Sequence, residues 1–350
     1  GISIWTSHIL NYLKANNTNV IVKQCYSDNK HQSFGDTNLI IRIINAFLNH
    51  IPLIRLLKKE IKNDTYDIVH LTTSASISLI KDIILLKICR RKRIKSIIHF
   101  HFGRIPELAS KKNWEWKMLC KVISLSDTAI VLDKVSYKTL LAANFRNIAL
   151  LPNPIAPKVL EIISNNKNKI INKRSLLFVG HCVPTKGVYE LIDACNKISN
   201  IKLRLVGNIS NKIREDLQDK TNNAEWLDIT GVYSFEDTLK EMLSCEVFVL
   251  PTYTEGFPNV IIEAMACGCA IVTTPVGAIP EMLEEKNDQR FGIMVEPKNV
   301  EELKNAIEKM LGDEELKKEC RKNVQQRVNE RYNIDVVWKQ MIDIWNRTIN

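Results

Sequence analysis

Short runs rich in Val and Ile recur along the chain, each followed by a stretch of helical periodicity. NVIVK (19–23), DIVHL (67–71), KSIIHF (95–100), TAIVL (128–132) and NIALL (147–151) are apolar almost throughout. Runs of this length predict strands covered on both faces, the pattern of a parallel sheet between helices. The stretches 38–62, 74–90, 113–126 and 134–144 predict those helices. The pattern then restarts with SLLFVG (175–180), KLRLVG (202–207), WLDIT (226–230), VFVLP (247–251), AIVTT (270–274) and GIMVEP (292–297). Helices are predicted near 187–199, 236–244 and 259–267. Between the two series, residues 151–174 hold three prolines and a run of Asn and Lys, and predict the interdomain connection. Helices near 300–311 and 313–331 finish the second series. A last helix, 334–348, puts Val337, Met341, Ile344 and Trp345 on one face and requires a surface to dock on.

A chain of 350 residues with two such series is read as two α/β domains, since a single core stops growing at roughly 250–300 residues. Two open sheets facing each other leave a cleft, and ligands in such folds bind beyond the carboxyl ends of the strands. The informative segments are therefore the loops that follow strands. Hydrophobic and charged fractions of 45% and 25% are those of a globular protein. The nine cysteines show no CxxC pair, which argues against a zinc site or disulfide framework and fits a reducing cytosol. The apolar stretch Ile261–Pro280 is divided by Glu263, two glycines and Pro275, so it reads as helix, turn and strand rather than a membrane span.

The first such loop is in LLFVGHCVPTKGVYELIDAC (176–195), where a strand ends at Gly180 and Lys186-Gly187 opens a helix. An ammonium group beside helix amides suits a diphosphate; the bland alternative is an exposed lysine before a helix. Neither the Walker spacing nor GxGxxG is present. The second loop, TEGFPNVIIEAMACG (254–268), follows the strand VFVLP. Pro258 suits a first helical position, and Gly268 suits the residue that ends the helix. Glu255 lies just before the helix and Glu263 about a turn inside it. Two carboxylates would repel a phosphate, but an ionised carboxylate accepts hydrogen bonds from hydroxyls. A molecule with hydroxyls at both ends and phosphates between them is a nucleotide sugar. The alternative is a loop carboxylate and a glutamate that complements the helix dipole.

EGFPNVIIEAMACG resembles the E-x7-E signature of glycosyltransferase family 4, the retaining enzymes of GT-B fold. FVGHCVPTKGVYELIDA is similar to that family's phosphate loop, LPNPI (151–155) to its interdomain turn, and TTPVGAIPEML (273–283) to the continuation of its donor site. The resemblance is strong over about 150–300 and weaker, though consistent in order, over 1–150. It implies two Rossmann-like parallel-sheet domains facing across a cleft: an acceptor-binding domain at 1–155, a linker at 156–174, a donor-binding domain at 175–332, and a C-terminal helix at 333–350 that packs back toward the first domain. By the same resemblance Glu263 binds the ribose diol. Glu255 contacts the donor sugar near the reacting carbon, and Lys186 neutralises the departing diphosphate. Gly180, His181, Gly256 and the backbone of Phe257, Pro258, Asn259 and Val260 line the donor. No metal or other cofactor is expected, because lysine and helix dipoles carry the charge. His181 stands where many members have arginine, a cation that forks onto phosphate, so the clamp is expected to be weaker here or helped by Arg104.

In SIIHFHFGRIPEL (96–108), strand alternation puts His99 and His101 on one side. The family places a histidine where this strand ends; His101 matches it, and His99 is read as a packed neighbour. The family's glycine-rich loop after its first strand corresponds to Gly1 and Ser3. The first strand is therefore expected to be missing, and the chain to be a fragment or trimmed form.

The net charge of +10 is uneven: residues 1–155 hold 23 Lys and Arg against 10 Asp and Glu, and the remainder 26 against 29. With the basic amphipathic stretches 51–63 and 87–96, this suggests anionic lipid headgroups as a partner; no nucleic-acid reading module is present. The expected activity is sugar transfer from a nucleoside-diphosphate sugar, UDP-linked, to a hydroxyl of a lipid-linked glycan in bacterial surface-polysaccharide synthesis. The expected place is the cytoplasm, at the inner face of the plasma membrane. Two alternatives stay open: a non-catalytic nucleotide-sugar-binding partner, and another GT-B enzyme such as an epimerase or phosphorylase.

Overall fold

The computed structural model describes residues 2–16, 18, 20–25, 39–166, 169–284 and 289–350, the side chains of 2–4 and 39–50 excepted. The chain divides into two compact units, residues 1–152 with Trp338–Asn350, and Asn153–Val337.

In the first unit, β1 (Ile68–Thr73), β2 (Lys95–Phe100), β3 (Thr128–Val131) and β4 (Ile148–Leu150) form a parallel sheet in that order. Five of the six residues of β2 are buried, as a central parallel strand requires. Leu79 and Leu86 of helix Ser78–Arg91 and Leu119, Val122 and Ile123 of helix Trp114–Leu125 pack with Ile98, Phe100, Ala129 and Val131 in one core. Helix Leu39–Asn63 adds Leu57 and Ile61, which meet Leu85, Ile88 and Cys89. The C-terminal helix Ile334–Ile349 belongs to this unit from Trp338 onward. Its Trp338 meets Tyr12 at 5.6 Å between centroids, and Thr348 Oγ1 lies 2.7 Å from Thr128 Oγ1.

In the second unit the sheet order is β10-β9-β8-β5-β6-β7, all parallel. The strands are β5 (Ser175–Val179), β6 (Lys202–Val206), β7 (Leu227–Gly231), β8 (Val247–Leu250), β9 (Ala270–Thr273) and β10 (Ile293–Met294). From β5 the chain winds outward to β7, then returns to β8 on the other side of β5 and winds to β10. The order therefore reverses between β5 and β8, the point where ligands of doubly wound sheets sit.

Four sequence expectations change. Residues 20–25 of the NVIVK region form no strand, and Ile21 is 99% exposed; an apolar run becomes a strand only where a sheet edge accepts its backbone. Residues 156–174 are not simply a linker. Pro157 starts a helix to Asn165 whose Val159 and Ile162 are buried, because proline suits a first helical turn and the apolar residues repeat at helical spacing. GIMVEP pairs only through Ile293 and Met294. Helices Ile105–Lys111 and Asn211–Lys220 were not anticipated; the second is too polar for a periodic signal, yet it is capped by Ser210.

Candidate active site

Three loops at the carboxyl ends of neighbouring strands β9, β8 and β5 are fastened to one another. Tyr253 N–H, after β8, donates to the carbonyl of Thr185, after β5, at 2.9 Å. Thr274 Oγ1, after β9, donates to the carbonyl of Thr252 at 2.5 Å, and Ala278 N–H donates to the carbonyl of Gly256 at 2.9 Å. Two glycines make this approach possible. Gly187 has φ +71°, and a Cβ there would overlap the Pro251 carbonyl oxygen. Gly277 has φ +58°, and its Cβ would overlap the carbonyls of Glu255 and Gly256. Only glycine combines a positive φ with backbone approach that close.

On this ledge Lys186 Nζ donates to Glu255 Oε1. Both side chains are partly buried, 24% and 12% exposed, so the pair is shielded and still reachable. Helix Asn259–Ala266 begins beside Glu255, with Pro258 as its N-cap rather than its first helical residue. Proline has no N–H to donate, while the first-turn amides, from Asn259 and Val260 onward, have no carbonyl behind them within the helix. Asn153 Nδ2 donates to Asn259 Oδ1 at 3.1 Å, holding that side chain at the helix start. Gly268, at φ +70°, follows the helix in the left-handed conformation. Glu263, within the helix, is largely buried, and burial raises its carboxyl pKa to about 7. A residue assigned as an ionised acceptor of hydroxyls is thus half protonated near neutrality.

Among the other donor-side residues, Gly180 directly follows β5 and His181 is exposed. Phe257 is buried and packs against Tyr332, ring centroids 5.9 Å apart, so its side chain is structural. Lys298 lies over the ring of Tyr253 at 5.0 Å, beside the same ledge. Sequence reasoning passed over Tyr253, Thr274 and Gly277. The last two stand within the quoted TTPVGAIPEML, but no spacing rule marks a hydrogen bond between loops.

The first unit holds a separate cluster where β1 and β2 end. His99 and His101 lie on one side, ring centroids 4.1 Å apart, and Trp5 meets both at 4.9 and 5.0 Å. His70 Nε2 is 3.3 Å from His99 Nδ1, and Trp345 Nε1–H donates to His70 Nδ1 at 3.0 Å. Burial lowers the pKa of His70 to about 4. Burial, then the neighbouring His70, lowers that of His101 to about 3. Burial, His101 and His70 push His99 down as well. All three are neutral rings at physiological pH. Trp5, His70 and Trp345 were not singled out as site residues; His70 sits in a predicted strand, two positions short of His99 in the register, where Thr72 faces His99. Arg104 donates to Glu115 Oε1 at 3.1 Å, and the same oxygen accepts the Ser76 N–H at 2.9 Å. The guanidinium is therefore engaged within its own unit. Gly1 lies outside the described residues. Ser3 falls in helix Ile2–Ala15, its side chain outside the described residues.

A cavity of about 370 Å³ in the second unit is lined by Gln289, Phe291, Asn323, Gln326, Arg327, Glu330 and Arg331, none of them among the candidates above. Arg327 is stacked on Phe291 and donates to the Met282 carbonyl at 3.0 Å, a packing role. Among the described residues no group of three or more His, Cys, Asp or Glu could hold a metal ion, and no helix is long and apolar enough to cross a membrane.

Residues 161–327 match the family model of glycosyl transferases group 1. The capsular polysaccharide biosynthesis glycosyltransferase CapM of Staphylococcus aureus is 28% identical over 195 residues, 53% of this chain and 50% of the relative. The N,N'-diacetylbacillosaminyl-diphospho-undecaprenol alpha-1,3-N-acetylgalactosaminyltransferase of Campylobacter jejuni is 28% identical over 188 residues, 52% of this chain and 47% of the relative. The chain spans about half the length of both curated relatives. The crystal structure of Anabaena Alr3699/HepE in complex with UDP superposes with a TM-score of 0.68 at 18% identity, covering 85% of this chain and 82% of that one. That likeness concerns the fold, and it places the two parallel sheets in the GT-B class.

Proposed function

We propose, from the match of residues 161–327 to the family model of glycosyl transferases group 1, that this chain moves a sugar from a nucleoside-diphosphate sugar to a hydroxyl acceptor with retention at the reacting carbon. The observation that carries the reading is the Lys186–Glu255 contact on the loops after β5 and β8, beside a helix start with Glu263 inside it. A diphosphate arriving at the helix amides competes for the Lys186 ammonium. Glu255 then exchanges its cation for the hydroxyls of the donor sugar, and Glu263 accepts those of the ribose. In the transfer step the bond between the anomeric carbon and the diphosphate oxygen breaks. The acceptor oxygen bonds to that carbon on the same face, and the acceptor's proton passes to the departing phosphate oxygen. Lys186 and the amides stabilise the charge that develops there, so the step requires no metal ion.

UDP is the nucleotide we assign, supported by the UDP-bound neighbour of like fold. A lipid-linked glycan acceptor in surface-polysaccharide synthesis is supported by the names of the two relatives. The basic excess of residues 1–155 supports work at an anionic membrane face in the cytoplasm.

The test is a thermal-shift panel of UDP-, GDP- and ADP-sugars, followed by transfer assays with Glu255→Gln. Ligand at 100 times its Kd adds about 2.7 kcal/mol of stability. The expected result is a shift with UDP-sugars alone, kept in Glu255→Gln, with transfer reduced at least about 100-fold. No shift with any donor, or near-normal turnover by the variant, overturns the reading. A shift without transfer by the unaltered chain favours a non-catalytic binding partner, the alternative that His181 in place of arginine supports.

A further inference from the structure

Tyr253 holds the chain on both sides of Lys186. Its backbone N–H donates to the carbonyl of Thr185, the residue before the lysine, at 2.9 Å. Its hydroxyl is hydrogen-bonded to Glu190, four residues after the lysine, in the first turn of helix Val188–Cys195. Glu255, the carboxylate that Lys186 contacts, stands only two residues after Tyr253. One residue therefore governs both partners of the pair. Glu190 carries a second signal: its Oε2 is buried and has no hydrogen-bond partner among the described residues. A buried carboxylate short of partners draws in a cation, because an unpaired charge away from water is costly. Two lysines compete for that place: Lys186, four residues back along the chain, and Lys298, whose Nζ lies 5.0 Å from the centre of the Tyr253 ring. Lys298 is exposed and would lose its hydration, whereas Lys186, 24% exposed, is already shielded and loses less on turning to another buried carboxylate. A phenol O–H is an uncharged donor. It satisfies one Glu190 oxygen without engaging a cation, and Lys186 stays with Glu255.

We propose that Tyr253 is a positioning residue for the donor phosphates: by holding Thr185 through its backbone and Glu190 through its hydroxyl, it keeps Glu190 from competing with Glu255 for Lys186. The pairing follows from contacts within the second unit, whereas its consequence for a diphosphate rests on the glycosyl-transfer reading above. Tyr253 itself touches neither phosphate nor sugar in this scheme; it acts on the lysine that does.

The test reads the pair directly in the full chain. A water-soluble carbodiimide joins a lysine to a carboxylate in contact with it through an amide bond, and mass spectrometry of the digest identifies the carboxylate. The unaltered chain should give the Lys186–Glu255 product. In Tyr253→Phe, which keeps the ring and removes the hydroxyl, that product should fall about fivefold, the effect of one hydrogen bond, with a Lys186–Glu190 product in its place. Adding Glu190→Gln to Tyr253→Phe removes the competing charge, so the Lys186–Glu255 product should return. A hydroxyl needed only for packing predicts no return. An undiminished Lys186–Glu255 product in Tyr253→Phe, a Lys298–Glu190 product instead of the Lys186–Glu190 one, or no recovery in the double variant overturns the proposal. If Tyr253→Phe does not fold, the double variant decides: folding with the Lys186–Glu255 product supports the proposal, and failure to fold or to give that product overturns it. Calorimetry with UDP then tests the consequence. Kd should rise at least about tenfold in Tyr253→Phe, the effect of one charge-assisted hydrogen bond, and recover in the double variant. An unchanged Kd despite a switched pair overturns the role in donor binding. No UDP binding by the unaltered chain, alongside the expected products, removes the nucleotide-sugar reading and leaves the pairing standing.

Discussion

Glu263 shows how a residue chosen from sequence acquires a property that sequence does not carry. Its place one turn inside helix Asn259–Ala266 follows from spacing, but the pKa of about 7 comes from burial. A folded-state pKa above the unfolded value of about 4.5 means that the folded protein holds the proton more tightly. The associated stability is present below about pH 4.5 and is lost as pH rises through about 7. Glu263→Gln should therefore leave the melting midpoint near that of the unaltered chain at pH 4.5 and raise it at pH 8. The gain is up to about 3 kcal/mol, taking 1.36 kcal/mol per pKa unit. Equal midpoints for the two proteins at both pH values would show that the carboxyl is not desolvated. Glu255, Lys186 and Glu263 were all legible because their residue types and their distances from a strand end are written along the chain. The Lys186–Glu255 contact was not: it joins residues 69 apart, and nothing local requires it.

At the level of elements, the strands after residue 66 and the principal helices lie close to where apolar periodicity put them, since buried parallel strands demand continuous apolar runs. Polar helix Asn211–Lys220 escaped notice because only Leu217 is buried in it. The loops depend on glycines. Gly187→Ala places a side chain at φ +71° and against the Pro251 carbonyl, so it should cost at least about 2 kcal/mol and loosen the Lys186 loop. Gly312→Ala is the control, because it ends helix Val300–Gly312 with open space around its Cβ. Denaturant melts of both variants should show a clear loss for the first and no loss for the second. Equal midpoints would mean that the ledge tolerates a Cβ after all.

At the level of the molecule, the basic stretches retain their charge but not their whole amphipathic character. In the segment 51–63 the apolar residues Leu57 and Ile61 are committed to the core, while Arg55, Lys58, Lys59 and Lys62 are exposed. Lys87, Arg90, Arg91, Lys92 and Arg93 are exposed together at the end of helix Ser78–Arg91. Contact with a bilayer would then be electrostatic, about 1 kcal/mol for each basic residue near an anionic surface. The chain should sediment with phosphatidylserine-containing vesicles at low salt, not with phosphatidylcholine vesicles. Binding should fade as salt shortens the Debye length to about 3 Å at 1 M. Replacing Arg90, Arg91, Lys92 and Arg93 by Gln should remove most of it. Salt-resistant binding would point to inserted apolar groups and refute the electrostatic account.

The sequence by itself determined the two series of strands, the loops that follow β5 and β8, and the carboxylates and lysine they carry. Each of these depends on residue type and spacing over a few turns of chain. Tertiary structure decided which loops touch, the burial that moves Glu263 to about 7, and the helix inside the expected linker. It also decided the meeting of Trp345 with His70, 275 residues apart, and of His70 with His99. Such contacts depend on how distant elements pack, and packing is set by the whole apolar surface that must be buried together, which no local pattern encodes.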